Sequence, residues 1–318
     1  LTMMLADAVN RCSHGPLRDF RLTEEDRHEL KIAGLLHDCG KITTPVHVVD
    51  KATKLEKIFD RIELIQTRAE IVLRDFQIAV SKNLITEEMA MKRHQQLIED
   101  FNFLSHCNIG VESMHDSDIA RVHTIAKDYQ WEDISGRVHS FLSDDEIQNL
   151  TIRSGTLTAQ ERHIINHHID TTIAMLEKLP WPKHLKNVPE YAGGHHERMD
   201  GKGYPKGLTR EQMSVQARCM GIADIFEALT AQDRPYKKGK TLSESLHILG
   251  NMKLNGHIDP DLFDIFMWEK VYEEYAEKFL DQHLVDHLDL NQVPGYVPPP
   301  IGYSSAARES YGESVKES

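Results

Sequence analysis

The segment SVQARCMGIADIFEALT, residues 214–230, limits most strongly what this chain can fold into. Helical spacing places apolar residues on two adjoining faces, so this helix is predicted to be buried nearly all round. Asp224 lies within those faces. An unpaired carboxylate there would be strongly destabilising, so Asp224 needs either an arginine or a metal ion as its partner. The segment therefore predicts a bundle of helices packed around an interior carboxylate.

The rest of the chain also carries the signals of helices. Capping boxes, in which a Ser or Thr and a Glu three residues later satisfy each other's backbone N–H groups, begin at Ser143, Thr158 and Thr241. Clear β alternation bounded by hairpin turns is absent from the sequence. We therefore predict an all-α protein.

The pattern divides the chain into a helical domain, an insertion and a tail. Residues 1–45 and 156–290 are predicted to form the domain. Residues 46–155 are charged and amphipathic, as expected for a long helical hairpin followed by a third helix near 117–128. This insertion is either a solvated embellishment or a coiled-coil-like arm for dimerisation or regulation. Residues 291–318 are rich in Pro, Gly, Ser and Tyr and are predicted to be extended or disordered.

Charge and composition exclude some classes of function. The 318 residues carry a formal net charge of −13 at pH 7, which argues against a nucleic-acid polymer as partner, because phosphate binding relies on a basic surface. A small phosphorylated ligand stays compatible if metal ions supply local positive charge. No apolar run is long enough to span a membrane. The four cysteines are widely spaced, as is typical of reduced thiols in the cytoplasm.

Two histidines lie where core residues are expected. Leu30, Ala33 and His37 share one helical face, and Asp38 follows directly. A lone histidine on such a face is more often a hydrogen-bonded core residue than a ligand, but a neighbouring carboxylate needs a strong partner. In a second stripe His168 faces the core whereas His167 faces solvent or an edge, and by itself His168 would again be more often structural than functional.

Adding the pair that precedes the glycine-rich loop at 201–205 gives six candidate metal ligands: His37, Asp38, His168, His195, His196 and Asp224. Imidazoles and carboxylates without thiolates suit Fe, Mn, Zn or similar divalent ions, and six ligands exceed what one ion with open positions needs. Two ions bridged by a carboxylate would account for the set and would activate a hydroxide nucleophile for phosphoryl transfer. Lys41 would then neutralise the charge that develops on phosphorus.

In this order the motifs resemble the HD-GYP domain, a branch of the HD phosphohydrolase superfamily. The resemblance rests on HDCGK at 37–41, HH at 195–196, GYP at 203–205 and AD at 223–224, and it extends over roughly half of the chain. It implies an HD-domain helical bundle that hydrolyses a bacterial cyclic dinucleotide. The substrate would be cyclic di-GMP or 3',3'-cyclic GMP-AMP, cleaved to the linear dinucleotide and on to mononucleotides by a metal-activated bridging hydroxide.

The resemblance also implies roles for single residues. Asp38 would bridge two divalent ions held by the six ligands, and Lys41 would contact the scissile phosphate. Arg234 and Lys237 would hold the phosphate and base of the substrate, and Tyr204 would border it. The glycines of the loop would let its backbone turn and approach the ligand closely.

Two departures from the family pattern stand out. The first helix, LTMMLADAVN, lacks the additional His and nearby Glu that many members carry before the HD motif, so nothing here supports a third ion. The link from His37 to His168 is much longer than usual, which marks 46–155 as an insertion. Because the chain begins with Leu, we expect an upstream sensor domain, or a membrane anchor, in the full-length bacterial protein.

Two other functions compete with this interpretation. One is an HD phosphohydrolase that acts on another nucleotide; the intact GYP loop and the DRPYK segment at 233–237 argue against it. The other is a catalytically weak domain that senses a nucleotide and signals. Such domains usually lose metal ligands, whereas every motif ligand within this chain is present.

Overall fold

The computed structural model describes residues 1–110, 113–231 and 239–303. Within these residues the helices are α1 (Thr2–Arg11), α2 (Glu24–Leu36), α3 (Val46–Val49), α4 (Ile62–Ser81), α5 (Glu87–Asn108), α6 (Asp116–Asp128), α7 (Asp144–Leu150), α8 (Ala159–Asn166), α9 (His168–Glu177), α10 (Val188–Gly193), α11 (Val215–Thr230), α12 (Leu242–Leu254), α13 (Pro260–Trp268) and α14 (Val271–Phe279). Two short strands, β1 (Gln130–Glu132) and β2 (Val138–Ser140), form a hairpin. The predicted all-α class is confirmed.

The chain folds into two compact units. The first consists of residues 1–43 together with the chain from residue 167 onward, and the second consists of residues 44–166. The second unit is thus somewhat longer than the segment 46–155 that the sequence pattern marked, because α8 belongs to it.

The core of the first unit is built around α11. One hydrophobic cluster joins α11 to α1, α12, α13 and α14 and includes the fully buried Phe226, Phe263 and Phe266. A smaller cluster joins α1, α2, α9 and α10 and receives Met220 from α11. The predicted burial of α11 is therefore correct for most of its surface. Glu227 is exposed, however, so one side near the C-terminal end of the helix is open.

The second unit has a core of its own. Helices α4 and α5 pack together as the predicted helical hairpin, and α6, the β-hairpin and α7 complete the unit. Leu97, Leu104, Val122 and Phe141 are fully buried in it.

The β-hairpin is a small addition to the all-α class that the sequence pattern did not predict. Its strands have three residues each, with Trp131 opposite His139, and are too short to show an alternating pattern. The turn is organised by Asp133, whose carboxylate accepts the backbone N–H of Ser135, and by Gly136, whose φ is +80°. The sequence therefore contained a turn signal, but the flanking strands were too short to give the alternating pattern that predicts a hairpin.

The described part of the C-terminal tail packs against the first unit. Val293 is buried in the larger cluster, and the indole N–H of Trp268 donates to the carbonyl of Val297 at 2.8 Å. Residues 304–318 lie outside the described residues. Among the helices described, none combines the length and apolarity that crossing a membrane requires.

Candidate metal centre

His37 stands directly after the last residue of α2 and is oriented by the helix itself. Its Nδ1 lies 2.8 Å from the carbonyl oxygen of Gly34. A carbonyl can only accept, so Nδ1 carries a proton and Nε2 is directed to the other side of the ring. There Nε2 lies 3.3 Å from Oδ2 of Asp38 and 3.5 Å from Oδ1 of Asp224. The predicted core histidine thus faces two carboxylates.

Asp38 and Lys41 are held together by a 3₁₀ turn, Cys39–Thr43, that follows α2. The backbone N–H of Lys41 donates to the carbonyl of Asp38 at 2.9 Å, and its Nζ donates to Oδ2 of Asp38 at 2.5 Å. The turn therefore brings the predicted phosphate-binding lysine to the predicted bridging carboxylate.

Gly40 allows close packing in the turn that follows α2. The helix ends at Leu36, and Gly40 lies inside the 3₁₀ turn. A Cβ at Gly40 would lie 2.1 Å from the carbonyl oxygen of His168. The backbone N–H of Gly40 donates to Oγ1 of Thr172 at 2.9 Å. Glycine is needed because α9 approaches the turn closely.

His168 is the first residue of α9 and is buried. The predicted stripe is interrupted in the structure, since α8 ends at Asn166 and α9 begins two residues later. Even so, Nε2 of His168 lies 3.2 Å from Oδ1 of Asp38. His167 is exposed, as expected, and contacts Asp170.

The adjacent histidines follow α10. Nδ1 of His195 lies 2.6 Å from the carbonyl oxygen of Ala192 and therefore carries the proton. Its Nε2 then bears a lone pair, 4.0 Å from Oδ1 of Asp38. The ring of His196 lies beside that of His195, with 4.0 Å between centroids, and stacks on Tyr204 at 4.9 Å.

All six predicted ligands converge in two groups that share one carboxylate. Within each group the candidate ligand atoms lie within 4.8 Å of one another. The groups are His37, Asp38 and Asp224, and Asp38, His168, His195 and His196. Among the described residues Nε2 of His195 is buried without a hydrogen-bond partner, and it faces Oδ1 of Asp38 at 4.0 Å. Two buried electron-rich atoms that face each other favour a cation between them, so these residues fit a divalent metal ion.

The electrostatics of the group also favour bound positive charge. Burial alone would lower the pKa of His37, but hydrogen bonds with Asp224 and Asp38 raise it to about 10. Burial alone would raise the pKa of both carboxylates, but the surrounding imidazoles, and Lys41 at Asp38, hold the pKa of each below its usual value. The carboxylates are therefore ionised at neutral pH.

The adjacent histidines are held neutral. Burial lowers the pKa of His195 to about 4, and burial together with the neighbouring imidazole of His195, which disfavours a second positive charge, lowers the pKa of His196 to about 3. Neutral imidazoles and ionised carboxylates are the forms that bind metal ions.

The glycine-rich loop lies beside this centre. The backbone N–H of Tyr204 donates to the carbonyl of His196 at 3.3 Å. Gly201 has a φ of +73°, in agreement with the predicted turn. Gly203 serves the chain's own packing, because a Cβ there would lie 2.4 Å from the backbone nitrogen of Arg198. The sequence suggested instead that this glycine allows a ligand to approach.

One buried residue beside this loop was not among the predicted site residues. Glu197 follows the histidine pair directly, and its side chain accepts backbone N–H groups from Lys206 and Leu208. Its position could have identified it, because it is a charged residue next to two predicted ligands. Arg234 and Lys237, the predicted substrate-binding residues of the DRPYK segment, lie outside the described residues.

A cavity of about 310 Å³ adjoins the centre on the side of His37 and Asp224. Its other walls include Met220, Tyr275 and Phe279. The centre therefore borders open space lined mainly by apolar and aromatic side chains.

Two models described as HD domain match the chain, one over residues 1–101 and the other over residues 143–262. The chain therefore belongs to the HD domain family. Its HD motif, its histidine pair and its GYP loop are gathered at one centre, in the arrangement that the resemblance to the HD-GYP type implies.

Named relatives match the chain over shorter stretches. A cyclic di-GMP phosphodiesterase of Pseudomonas aeruginosa is 37% identical over 115 residues, which is 36% of this chain and 27% of the relative. A 3'3'-cGAMP-specific phosphodiesterase of Vibrio cholerae is 42% identical over 80 residues, 25% of this chain and 18% of the relative. A cyclic di-GMP phosphodiesterase of Thermotoga maritima is 31% identical over 119 residues, 37% of this chain and 31% of the relative. The chain spans less than a third of the length of each of these relatives.

Proposed function

We propose that this protein is a metal-dependent phosphodiesterase that hydrolyses a bacterial cyclic dinucleotide, cyclic di-GMP or 3',3'-cyclic GMP-AMP, to the linear dinucleotide. The observation that supports it most directly is the position of Asp38 between two groups of ligand-type side chains, with the Tyr204 loop alongside. The names of the relatives provide the substrate class. We assign the reaction to the bacterial cytoplasm, in keeping with four free thiols.

We further propose that the centre holds two divalent ions, Fe, Mn or a similar metal, bridged by Asp38. His37 and Asp224 would complete the ligands of one ion, and His168, His195 and His196 those of the other. When bound, such ions would stabilise charge on the phosphate and lower the pKa of the attacking water. Because the protein has a net charge of −13, this local positive charge is what would allow an anionic substrate to bind.

The remaining roles belong to side chains beside the ligands. Lys41 is partly exposed while its Nζ contacts Asp38, so its ammonium group could reach a phosphate oxygen bound by the ions that Asp38 would hold. There it would stabilise the charge that develops during hydrolysis. Tyr204 would border the substrate, and Arg234 and Lys237 are proposed to bind its phosphate and base.

The direct test is turnover with metal analysis on the same sample. Protein loaded with Mn or Fe is incubated with each cyclic dinucleotide, and the products are separated by chromatography. We expect linear dinucleotide from at least one substrate and about two ions per chain, as a binuclear site requires. Absence of turnover with both substrates in metal-loaded protein would overturn the enzymatic function, and absence of bound metal would overturn the binuclear centre.

The proposed dimerisation through the insertion is supported by apolar side chains near the turn between α4 and α5. Ile78, Leu84 and Met89 are 48%, 72% and 47% exposed. Exposed apolar groups of this kind mark interaction sites when they cluster. Sedimentation of the wild type and of a variant with Leu84→Glu and Met89→Glu tests this. A wild type that stays monomeric at high concentration would rule the dimer out.

A further inference from the structure

Glu197 is a buried carboxylate that joins the ligand histidines to the glycine-rich loop. Its side chain is only 4% exposed. Oε1 accepts the backbone N–H of Lys206 at 2.7 Å, and Oε2 accepts that of Leu208 at 2.9 Å. Both donors follow Tyr204 in the loop, whereas the acceptor follows His196 directly. One side chain therefore fixes the distance between the two ends of the HHERMDGKGYP segment.

The loop returns tightly against the backbone next to Glu197. A Cβ at Gly203 would lie 2.5 Å from Cα of Glu197, so the chain passes over this residue in contact. On the other side of the loop, the ring of Tyr204 stacks on His196 at an interplanar angle of 26°. Tyr204 is thus held between a ligand histidine and two backbone groups that Glu197 binds.

We infer that Glu197 is a positioning residue, which fixes residues 203–208 so that Tyr204 presents its ring to the substrate beside the ligand histidines. This inference rests on the proposed function, because the substrate is the cyclic dinucleotide of that proposal. Glu197 binds the loop N–H groups through its carboxylate and is assigned no part in metal binding.

The chemistry of the side chain allows a mild substitution. An ionised carboxylate is acceptor-only and matches two converging N–H donors. In Glu197→Gln the amide NH₂ replaces one acceptor and would face one of these donors, so at least one hydrogen bond is lost with almost no change in volume.

Glu29 provides a matched control in the same unit. It is buried to a similar extent, at 3% exposure, and accepts the backbone N–H of Asn187 at 2.5 Å and the side-chain amide of Asn187 at 3.1 Å. Glu29→Gln therefore removes the same kind of contact at a position outside the loop. A general loss of stability would affect both variants, whereas a role in positioning the loop belongs to Glu197 alone.

The experiment compares wild type, Glu197→Gln and Glu29→Gln in the metal-loaded protein. We expect Glu197→Gln to raise KM for cyclic di-GMP about tenfold, as the loss of one hydrogen bond to a charged group would. Metal content should be unchanged. Amide hydrogen exchange in the peptides that cover residues 203–208 should be at least about tenfold faster, since protection follows local opening. Glu29→Gln should leave all three quantities at their wild-type values.

A second comparison tests whether the effect of Glu197→Gln on KM depends on Tyr204. Because Glu197 acts through the loop, Glu197→Gln should change KM much less in a Tyr204→Ala background than in the wild type. Unchanged exchange, unchanged KM, or an equal effect from Glu29→Gln would each overturn the inference. If the wild type turns over no cyclic dinucleotide, the proposed function fails, while hydrogen exchange still decides whether Glu197 holds the loop.

Discussion

At the scale of single residues, Asp38 is the side chain on which the candidate centre depends. Oδ1 lies 3.2 Å from Nε2 of His168 and 4.0 Å from Nε2 of His195, and Oδ2 lies 3.3 Å from Nε2 of His37 and 2.5 Å from Nζ of Lys41. Each oxygen thus belongs to a different group of ligand-type atoms. Removal of this carboxylate separates the two groups.

We expect Asp38→Ala to lose bound metal and activity together, with kcat lowered by at least about a thousandfold, because both proposed ions lose a ligand. Metal analysis and turnover on the same preparation measure this. Asp133→Ala is the control, since Asp133 also contacts a histidine, His139 at 2.8 Å, but lies outside the ligand groups. Full metal occupancy in Asp38→Ala would contradict the bridging role.

Lys41 should behave differently from the carboxylate that it contacts. Lys41→Met keeps most of the side-chain volume and removes the ammonium group, so kcat should fall about a hundredfold while metal content stays at the wild-type level. Steady-state kinetics with metal analysis distinguishes the two roles. Loss of metal in this variant would show that Lys41 supports the ligands instead of the substrate.

Gly40 is predicted to be intolerant of any side chain. Gly40→Ala forces α9 and the 3₁₀ turn apart, because the new Cβ meets the backbone of His168, and should lower the free energy of unfolding by about 3 kcal/mol. Thermal unfolding measures the loss. Gly34→Ala is the control, since a Cβ there has no atom within 4 Å and helix propensity favours alanine. Equal stability of the two variants would contradict the close approach.

The clustering of the six candidate ligands was predictable from sequence, whereas the contacts that support it were not. His37 and Asp224 could be recognised as polar residues at core-facing helical positions, and Asp38 as the neighbour of His37. Gly40 and Glu197 are required because of contacts with backbone groups from other parts of the chain. Local periodicity in the sequence does not predict such contacts.

At the scale of elements, the start of α13 connects three segments. Asp259 caps this helix, accepting the N–H groups of Asp261 and Leu262, and it also binds the guanidinium groups of Arg210 and Arg218. Arg210 follows the glycine-rich loop, and Arg218 lies on α11. A single buried carboxylate therefore ties the loop region to two helices.

Asp259→Asn should destabilise the protein by about 3 kcal/mol at pH 7, because Arg218 and Arg210 both lose a buried charged partner, although Arg210 keeps its contact with Asp261. Burial alone would raise the pKa of Asp259, but Arg210, Arg218 and the N–H of Leu262 hold it below its usual value. A lowered folded-state pKa contributes stability that is present above the unfolded pKa, about 4, and is lost as pH falls through the folded value.

The stability difference between wild type and Asp259→Asn should therefore shrink as pH falls below about 4. Denaturant unfolding at pH 7 and at pH 3 measures it, with Asp289→Asn, at an exposed 3₁₀ turn, as control. A difference that stays constant down to acidic pH would contradict the ion-pair origin.

Two elements show where pattern analysis failed. The chain breaks between α8 and α9 although no Gly or Pro lies there, so the local signals of a helix end were missing. The β-hairpin had turn residues but strands too short to alternate. The helical hairpin of α4 and α5 succeeded because long amphipathic segments carry the strongest periodic signal.

At the scale of the whole molecule, the two units have separate hydrophobic cores. The buried cluster of the second unit draws all its members from positions 55–150. Lys51 joins the beginning and the end of the second unit, because its fully buried ammonium binds Glu161 at 2.8 Å and Asn149 at 2.9 Å. Residues 44–166 thus contain both their core and the contact that closes it.

We expect residues 44–166, produced alone, to fold cooperatively, because the members of their buried hydrophobic cluster all come from within this segment. Circular dichroism and thermal unfolding would show a helical protein with one transition. Leu104→Ala in this fragment should lower its stability by roughly 2 to 5 kcal/mol. A fragment without a cooperative transition would contradict its independence.

The hydrogen bond between Gly40 and Thr172 joins positions that are 132 residues apart. A chain that leaves the ribosome from its N-terminus completes the HD motif long before its partner histidines are synthesised. The free energy needed to close an unfolded loop rises with its length, and contacts of long sequence separation form slowly. If residues 44–166 fold before His168 is available, as expected for the isolated fragment, they would shorten the search between the two halves of the site. The insertion would then act during biosynthesis as a folding intermediary, and a core mutation within it would delay assembly of a metal centre to which it contributes no ligand.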